Sequence, residues 1–205
     1  MAVGVICKDS RSYRVVGGNA MTSASAADYV WLRDAWTDGV GTTILCINFV
    51  RGLSPADALR RVKVTPGTSG EYGVAAYSAE GGTVLAESGW ATKYVTNVAE
   101  PLSLGTAVAT VFADLKGADF TYEANEQLIT TFSLYSYRLR EGNQPDRFLA
   151  DVRELGLYRD DDGYADDPIS SALALASRAA GVRLSRSQYA KPTLIGSTDH
   201  LYPSW

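Results

Sequence analysis

The chain has 205 residues, of which 46% are hydrophobic and 20% are charged, a balance typical of a folded globular protein. Its formal net charge of −4 and its lack of a Lys/Arg cluster disfavour nucleic-acid binding, because phosphate contacts need a basic face. No run of about 18 apolar residues is present, so the sequence predicts no transmembrane segment and no membrane partner.

Three features indicate the compartment and the source. Cys7 and Cys46 are the only cysteines and lie far apart, which is typical of reduced thiols in a reducing compartment. Met1–Val5 is too short for the apolar region of a signal peptide. Arginine outnumbers lysine by 14 to 5, a bias of high-GC bacteria such as actinomycetes. We therefore expect a cytoplasmic protein from an actinobacterium.

The chain divides into three predicted parts. Residues 1–20 are either a small hairpin or an N-terminal extension, because Met21 resembles a second natural start. Residues 21–196 are predicted to form a single α+β domain, and residues 197–205 to form a C-terminal tail.

The first predicted elements are a helix, a strand and a second helix. Ser25 and Asp28 have the spacing of a capping box, which predicts that a helix begins there. Residues 42–50 follow as a continuous apolar strand. The second helix is expected to begin with Ser54 as its N-cap and Pro55 in its first turn, where the missing N–H of proline costs nothing.

The middle of the chain has the period-2 pattern of β-strands. A hairpin over residues 72–78 and 83–87 is predicted because Gly81-Gly82 tolerates a tight turn. Three further strands joined by short turns predict an antiparallel meander at residues 107–113, 119–124 and 128–135.

The last third of the chain is predicted to be helical. Apolar stripes place helices over residues 145–155 and 168–181, with Asp167 and Gly181 as the caps of the second one. The predicted fold is therefore α+β, a mostly antiparallel sheet of about five or six strands with helices packed on one face.

Familiar catalytic and metal motifs are incomplete in this sequence. His200 is the only histidine and lies in the predicted tail, where it is poorly placed for a Ser–His–acid site or a zinc site. An acidic run ends at Gly163, but a calcium loop aligned on this glycine puts Ile169 where a glutamate is required. We therefore predict no catalytic residue, no metal and no cofactor.

Three residues are candidates for ligand binding. Arg51 precedes the helix that begins after Ser54, so a guanidinium and free N–H groups would converge on an anion at the end of the strand. The alternative is that Arg51 pairs with Asp57 or covers the sheet end. Trp90 follows the predicted hairpin and would line a pocket or an interface, or would plug an edge of the core.

Three stretches resemble an actinobacterial domain family of unknown function. The motifs are Val50-Arg51-Gly52-Leu53-Ser54-Pro55, a strand pair over Gly105–Phe132, and Ala172–Gly181 followed by Val182-Arg183-Leu184. The resemblance extends over roughly residues 26–195, and it implies a bacterial cytoplasmic protein without supplying an activity. Residues 69–77 and 90–100 depart from the family pattern.

Three functions remain open at this point. The favoured one is a non-enzymatic binding or protein-interaction module for a protein or small-molecule ligand, because catalytic motifs are lacking. A small enzyme that tailors metabolites through Asp, Glu or Tyr is the second, since these residues can do acid–base work without histidine. An immunity or defence protein is the third. An enclosed carboxylate with a shifted pKa would favour the enzyme.

Overall fold

The computed structural model describes residues 23–88, 100–158 and 165–201, and these build an antiparallel sheet of eight strands. The strands are β1 Leu45–Arg51, β2 Gly73–Ala79, β3 Gly82–Ser88, β4 Ala107–Asp114, β5 Gly117–Ala124, β6 Gln127–Ser133, β7 Ser136–Glu141 and β8 Leu194–Ser197. Their spatial order is β7-β6-β5-β4-β1-β3-β2-β8, and each neighbouring pair is antiparallel.

The predicted α+β class and the predicted meander are confirmed, but five or six strands is too few. The two strands that the sequence did not predict, β7 and β8, lie at the opposite edges of the sheet. Strand β7 carries Arg138 and Arg140, and charge of this kind protects an exposed edge from further pairing. The alternation of buried apolar and exposed polar side chains is also interrupted in β7, because Leu139 is exposed. Strand β8 has four residues, too few for a periodic signal.

The helices are short except for one. They are α1 Val30–Asp34, α2 Pro55–Arg61, α3 Glu100–Ser103, α4 Leu149–Glu154, α5 Pro168–Ala180 and α6 Arg186–Tyr189, with 3₁₀ turns at Ala26–Asp28 and Asp199–Leu201. The helix predicted after Ser25 is thus divided into a 3₁₀ turn and α1. Its predicted start is nevertheless stabilised, since the N–H of Ser25 donates to the Asp28 carboxylate at 2.8 Å.

Helix α5 packs on one face of the sheet, here called the α5 face, against β1, β4 and β5. The core of this face contains Ile47, Phe49 and Phe120 from the strands and Leu173 from the helix, all fully buried. The predicted caps of α5 are confirmed, because the side chain of Asp167 accepts the N–H of Ser170 and Gly181 has the left-handed φ of 65°.

Helix α2 packs on the opposite face, here called the α2 face, against β2 and β3. A second apolar cluster lies there and includes Leu59 from α2, Leu85 from β3 and Leu102 from α3. The prediction that helices cover one face is therefore wrong. The reason is that β1 and β3 carry apolar side chains on both of their faces, so each face needs a cover.

The C-terminal end of the predicted domain, at residue 196, can be compared with the structure. Residues 1–20 lie outside the described residues. Strand β8 includes Ser197, Thr198 is fully buried, and Asp199 accepts the backbone N–H groups of Glu71 and Tyr72 at 3.1 and 2.8 Å. The boundary predicted at residue 196 thus falls inside β8. Among the helices of the described residues, none is long and apolar enough to cross a membrane.

Candidate functional site

The structure directs Arg51 to the C-terminus of α5. Its Nε donates to the carbonyl of Ala180 at 2.7 Å, and its Nη2 donates to the carbonyl of Ala179 at 2.9 Å. The last carbonyls of a helix have no partner within the helix and carry partial negative charge, so a guanidinium there is stabilising. The alternative that Arg51 covers the end of the sheet thus describes its contacts better than a pairing with Asp57.

Ser54 acts as the N-cap of α2. Its hydroxyl accepts the N–H of Asp57 at 3.2 Å and donates to the Asp57 carboxylate at 2.6 Å. This hydroxyl, together with Arg60, holds the pKa of Asp57 below its usual value. Because α2 and α5 lie on opposite faces, the structure does not bring Ser54 together with the Arg51 guanidinium. Trp90, the third candidate, lies outside the described residues.

A polar group of four side chains lies on the α2 face, across the three central strands. Cys46 and Asn48 belong to β1, Glu87 to β3 and Thr110 to β4, and we call this group the Glu87 site. The register pairs Cys46 with Glu87 and Asn48 with Thr110, so these side chains are direct cross-strand neighbours. All four are buried, with at most 6% of any one residue exposed.

Part of the Glu87 site is bonded internally. The hydroxyl of Thr110 donates to Asn48 Oδ1 at 2.8 Å, and Asn48 Nδ2 lies 3.8 Å from the thiol of Cys46. These bonds connect β4 to β1 through side chains in addition to the backbone ladder. They fix the amide of Asn48 on the same face as Glu87, one diagonal step away, a separation that long side chains can bridge.

Glu87 is the unusual member of the site. It is 2% exposed, and within the described part of the chain neither carboxyl oxygen has a hydrogen-bond partner. Burial raises the pKa of Glu87 to about 8, because the surroundings disfavour the ionised form. The carboxyl is therefore mostly protonated at neutral pH. It has one O–H to donate and lone pairs to accept, and no described residue bonds to them.

An unpaired buried polar group costs about 1–3 kcal/mol of stability, so a group of this kind calls for an explanation. Glu87 was not predicted as a site residue because a glutamate at the end of a predicted strand is normally solvated. A usable signal is present, however. Thr83, Leu85 and Glu87 alternate with Val84 and Ala86, and the strand is apolar on both faces, so Glu87 continues a buried row.

A groove that is open to solvent lies between α1 and α6. This groove has a volume of ≈ 740 Å³. Its wall includes Trp31 and Tyr189, whose ring centres are 5.3 Å apart. Asp34, which also lines the groove, forms an ion pair with Arg33. No residue lining the groove has a buried side-chain polar atom without a partner, so the Glu87 site is the stronger candidate.

Other sequence candidates have structural contacts. The Nε2 atom of His200 lies 2.9 Å from the carbonyl oxygen of Lys63, and Asp167 caps α5 and pairs with Arg33. In the described ranges 23–88, 100–158 and 165–201, no group of three or more His, Cys, Asp or Glu side chains is placed to hold a metal ion.

The fold and the site define a class of protein, an antiparallel α+β domain with a buried carboxyl on its central strands. The chain belongs to a family of unknown function (DUF6461), whose model matches residues 68–193. This confirms the resemblance to a family of unknown function. The match includes Glu87 and Thr110 but not β1. Comparisons with curated proteins and with solved structures found no match.

Proposed function

We propose that the chain is a binding module that holds a small ligand at the Glu87 site, with the Glu87 carboxyl as the group that bonds the ligand. The observation that carries the proposal is a buried carboxyl whose two oxygens both lack a partner in the part of the chain that the structure describes. A ligand that supplies those hydrogen bonds would recover the stability that the unpaired group costs, and this recovery would appear as binding free energy.

The position of the site supports this proposal. Strands β1, β3 and β4 are consecutive neighbours in the interior of the sheet, so the backbone that carries the site is held on both sides. A recognition group on such elements keeps a fixed geometry, which reduces the entropy lost on binding. The internally bonded Asn48–Thr110 pair adds further rigidity beside Glu87.

A second candidate function is acid–base catalysis by Glu87. The pKa of about 8 favours it, because a general acid or base is most effective when its pKa lies near the working pH. An enzyme would lose turnover in Glu87→Gln while the variant still bound its substrate. A binding module would lose affinity in the same variant.

The setting that we propose is the cytoplasm of an actinobacterium, with a small molecule as the partner rather than nucleic acid or a membrane. The arginine-rich, lysine-poor composition and the formal charge of −4 support it.

The test compares wild type with Glu87→Gln, which keeps the shape of the side chain and removes the carboxyl. A panel of small polar molecules is screened for a rise in melting temperature, with Glu80→Gln as a matched control because Glu80 is an exposed glutamate in the turn before β3. We expect some compounds to stabilise wild type and Glu80→Gln but not Glu87→Gln. If every compound shifts all three proteins equally, the proposal is wrong.

A further inference from the structure

We infer that the Glu87 site selects a cation with several N–H donors, of the amidine or primary-amine class, whose donors bond the two Glu87 oxygens. This inference rests on the proposed function and adds the chemical class of the ligand. It follows from an inventory of the hydrogen-bond donors and acceptors that the site leaves unused.

With Glu87 ionised, the unused capacity of the site consists largely of acceptors. Both oxygens of Glu87 are without a partner among the described residues. The hydroxyl proton of Thr110 is given to Asn48, so its oxygen retains only lone pairs toward a ligand. A molecule that satisfies this ionised set has to bring donors, whereas one with acceptors alone could bond only the O–H of the protonated carboxyl.

The two arginines of α2, the helix that packs on this face, have other partners. On α2, Arg60 pairs with Asp57 at 2.7 Å, and Arg61 donates to the carbonyls of Leu102 and Leu104 at 3.2 and 2.7 Å. Among the described residues, none forms an ion pair with Glu87. Within the described residues no charge compensates an ionised Glu87, and in this inference the ligand supplies it.

A planar amidinium suits the geometry of a carboxylate best. Two parallel N–H groups meet two oxygens, which gives a bidentate pair, and such charge-assisted bonds are roughly twice as strong as neutral ones. The cation also favours the ionised form of Glu87, so binding displaces the carboxyl proton to solvent. An anionic ligand would instead place its negative charge beside the ionised carboxylate of Glu87, which is unfavourable.

The experiment uses three small probes of the same shape, namely acetamidinium, acetamide and acetate, which carry a positive charge, no charge and a negative charge. Each is titrated into wild type, Glu87→Gln and the Glu80→Gln control, and melting temperature is recorded. General effects of the probes on proteins act on all three chains alike, so the difference between chains isolates the site. We expect acetamidinium to bind wild type and Glu80→Gln at least about tenfold more tightly than Glu87→Gln.

A second measurement needs no variant and so does not depend on the folding of Glu87→Gln. The side-chain carboxyl carbon of Glu87 is followed by ¹³C NMR in wild type at neutral pH, and acetamidinium is expected to move its shift from the protonated to the ionised position. If acetamide or acetate binds best and Glu87→Gln abolishes that binding, the inferred class is wrong while the proposed function stands. If no probe distinguishes wild type from Glu87→Gln and the Glu87 signal does not move, both are wrong.

Discussion

The two faces of the sheet treat buried charge-bearing side chains in opposite ways. On the α5 face, Arg178 has 10% of its side chain exposed, and its guanidinium donates to the carbonyl of Ala24 and to the carboxylates of Asp151 and Glu154. On the α2 face, Glu87 is more deeply buried and has no partner among the described residues. The first group ties segments of the chain together, whereas the carboxyl of the second forms no such bond with the described residues.

This contrast separates structural burial from functional burial. A charged group that stabilises a fold is recognised by its completed hydrogen bonds, and its removal leaves its former partners unpaired. A group that is kept in spite of its cost has unused bonds, and its removal should raise stability while a function is lost. The predictions below test the contrast from its largest expected effect to its smallest.

The largest effect is expected on the α5 face, for Arg178→Met. Methionine keeps most of the apolar length of the side chain but loses the bonds to Ala24, Asp151 and Glu154. We expect the free energy of unfolding to fall by about 2–3 kcal/mol, the range for hydrogen bonds to charged groups. Urea denaturation at neutral pH measures it. Arg60→Met, which removes an exposed ion pair on α2, serves as the control and should cost much less.

The next effect has the opposite sign and lies on the α2 face. Glu87→Leu removes the unpaired carboxyl and keeps a side chain of similar size, so we expect stability to rise by about 2 kcal/mol. Thr110→Val is the matched control, because it also replaces a buried polar group but breaks the bond to Asn48. It should lower stability. A stability loss in Glu87→Leu as large as that in Thr110→Val would show that Glu87 has a structural role.

The third effect is a pH dependence of stability. The pKa of Glu87 is raised by burial from its ordinary value of 4.5 to about 8 in the folded chain. The folded state therefore holds its proton more tightly, and the stability from this group is complete below pH 4.5 and is lost as pH rises toward 8. The slope is about 1.4 kcal/mol per pH unit within that window.

The measurement is the free energy of unfolding of wild type relative to Glu87→Gln at several pH values. Groups other than Glu87 contribute equally to both chains and cancel in the difference. We expect wild type to lose about 1.4 kcal/mol relative to the variant as pH rises from about 6 to about 7. A difference that stays constant across this range would mean that Glu87 is solvated or has a partner.

The sequence was sufficient for much of the fold because the signals concerned are local. The cap Asp167, the helix end at Gly181 and the hairpin turn at Gly81 each act within a few residues of the chain. At Gly81 the requirement is also tertiary, since an added Cβ would lie 2.1 Å from the carbonyl oxygen of Gly181. Of the two edge strands that were missed, β8 pairs with β2, which is distant in sequence, whereas β7 pairs with the preceding β6 but lacks a clear hydrophobic alternation.

The candidate site was not predictable by the same means. Arg51 and Ser54 are close in the chain, and the expectation that they converge assumed that neighbouring residues share a face. The alternation of β1 instead sends Arg51 to α5, while Ser54 begins a helix on the other face. Glu87 lies near Asn48 and Thr110 only because of the register in which the three strands pair. Such a site is visible once the pairing of the strands is known.

The smallest effect is expected in the turn between β5 and β6, which docks on α3 at the α2 face. Asn125 and Glu126 both have positive φ, 50° and 64°, which is the pattern of a type I′ turn. Asparagine tolerates this conformation, whereas glutamate is strained in it, and glycine is the preferred residue at the second position. The backbone N–H of Glu126 donates to the hydroxyl of Ser103 at 3.1 Å, a bond that does not involve the glutamate side chain.

Glu126→Gly should therefore relieve strain while it keeps that bond. Part of the gain is offset by the greater freedom of glycine in the unfolded chain, so we expect a net rise of about 0.5 kcal/mol in the free energy of unfolding. Asn125→Ala, which puts a less tolerant residue into the same turn, is expected to lower it. Because the turn stabilises the α2 face without touching Glu87, the pH slope and the acetamidinium response should remain those of wild type. A change in either of them would mean that the Glu87 site responds to the general stability of its face, and the separation between structural and functional burial would then fail.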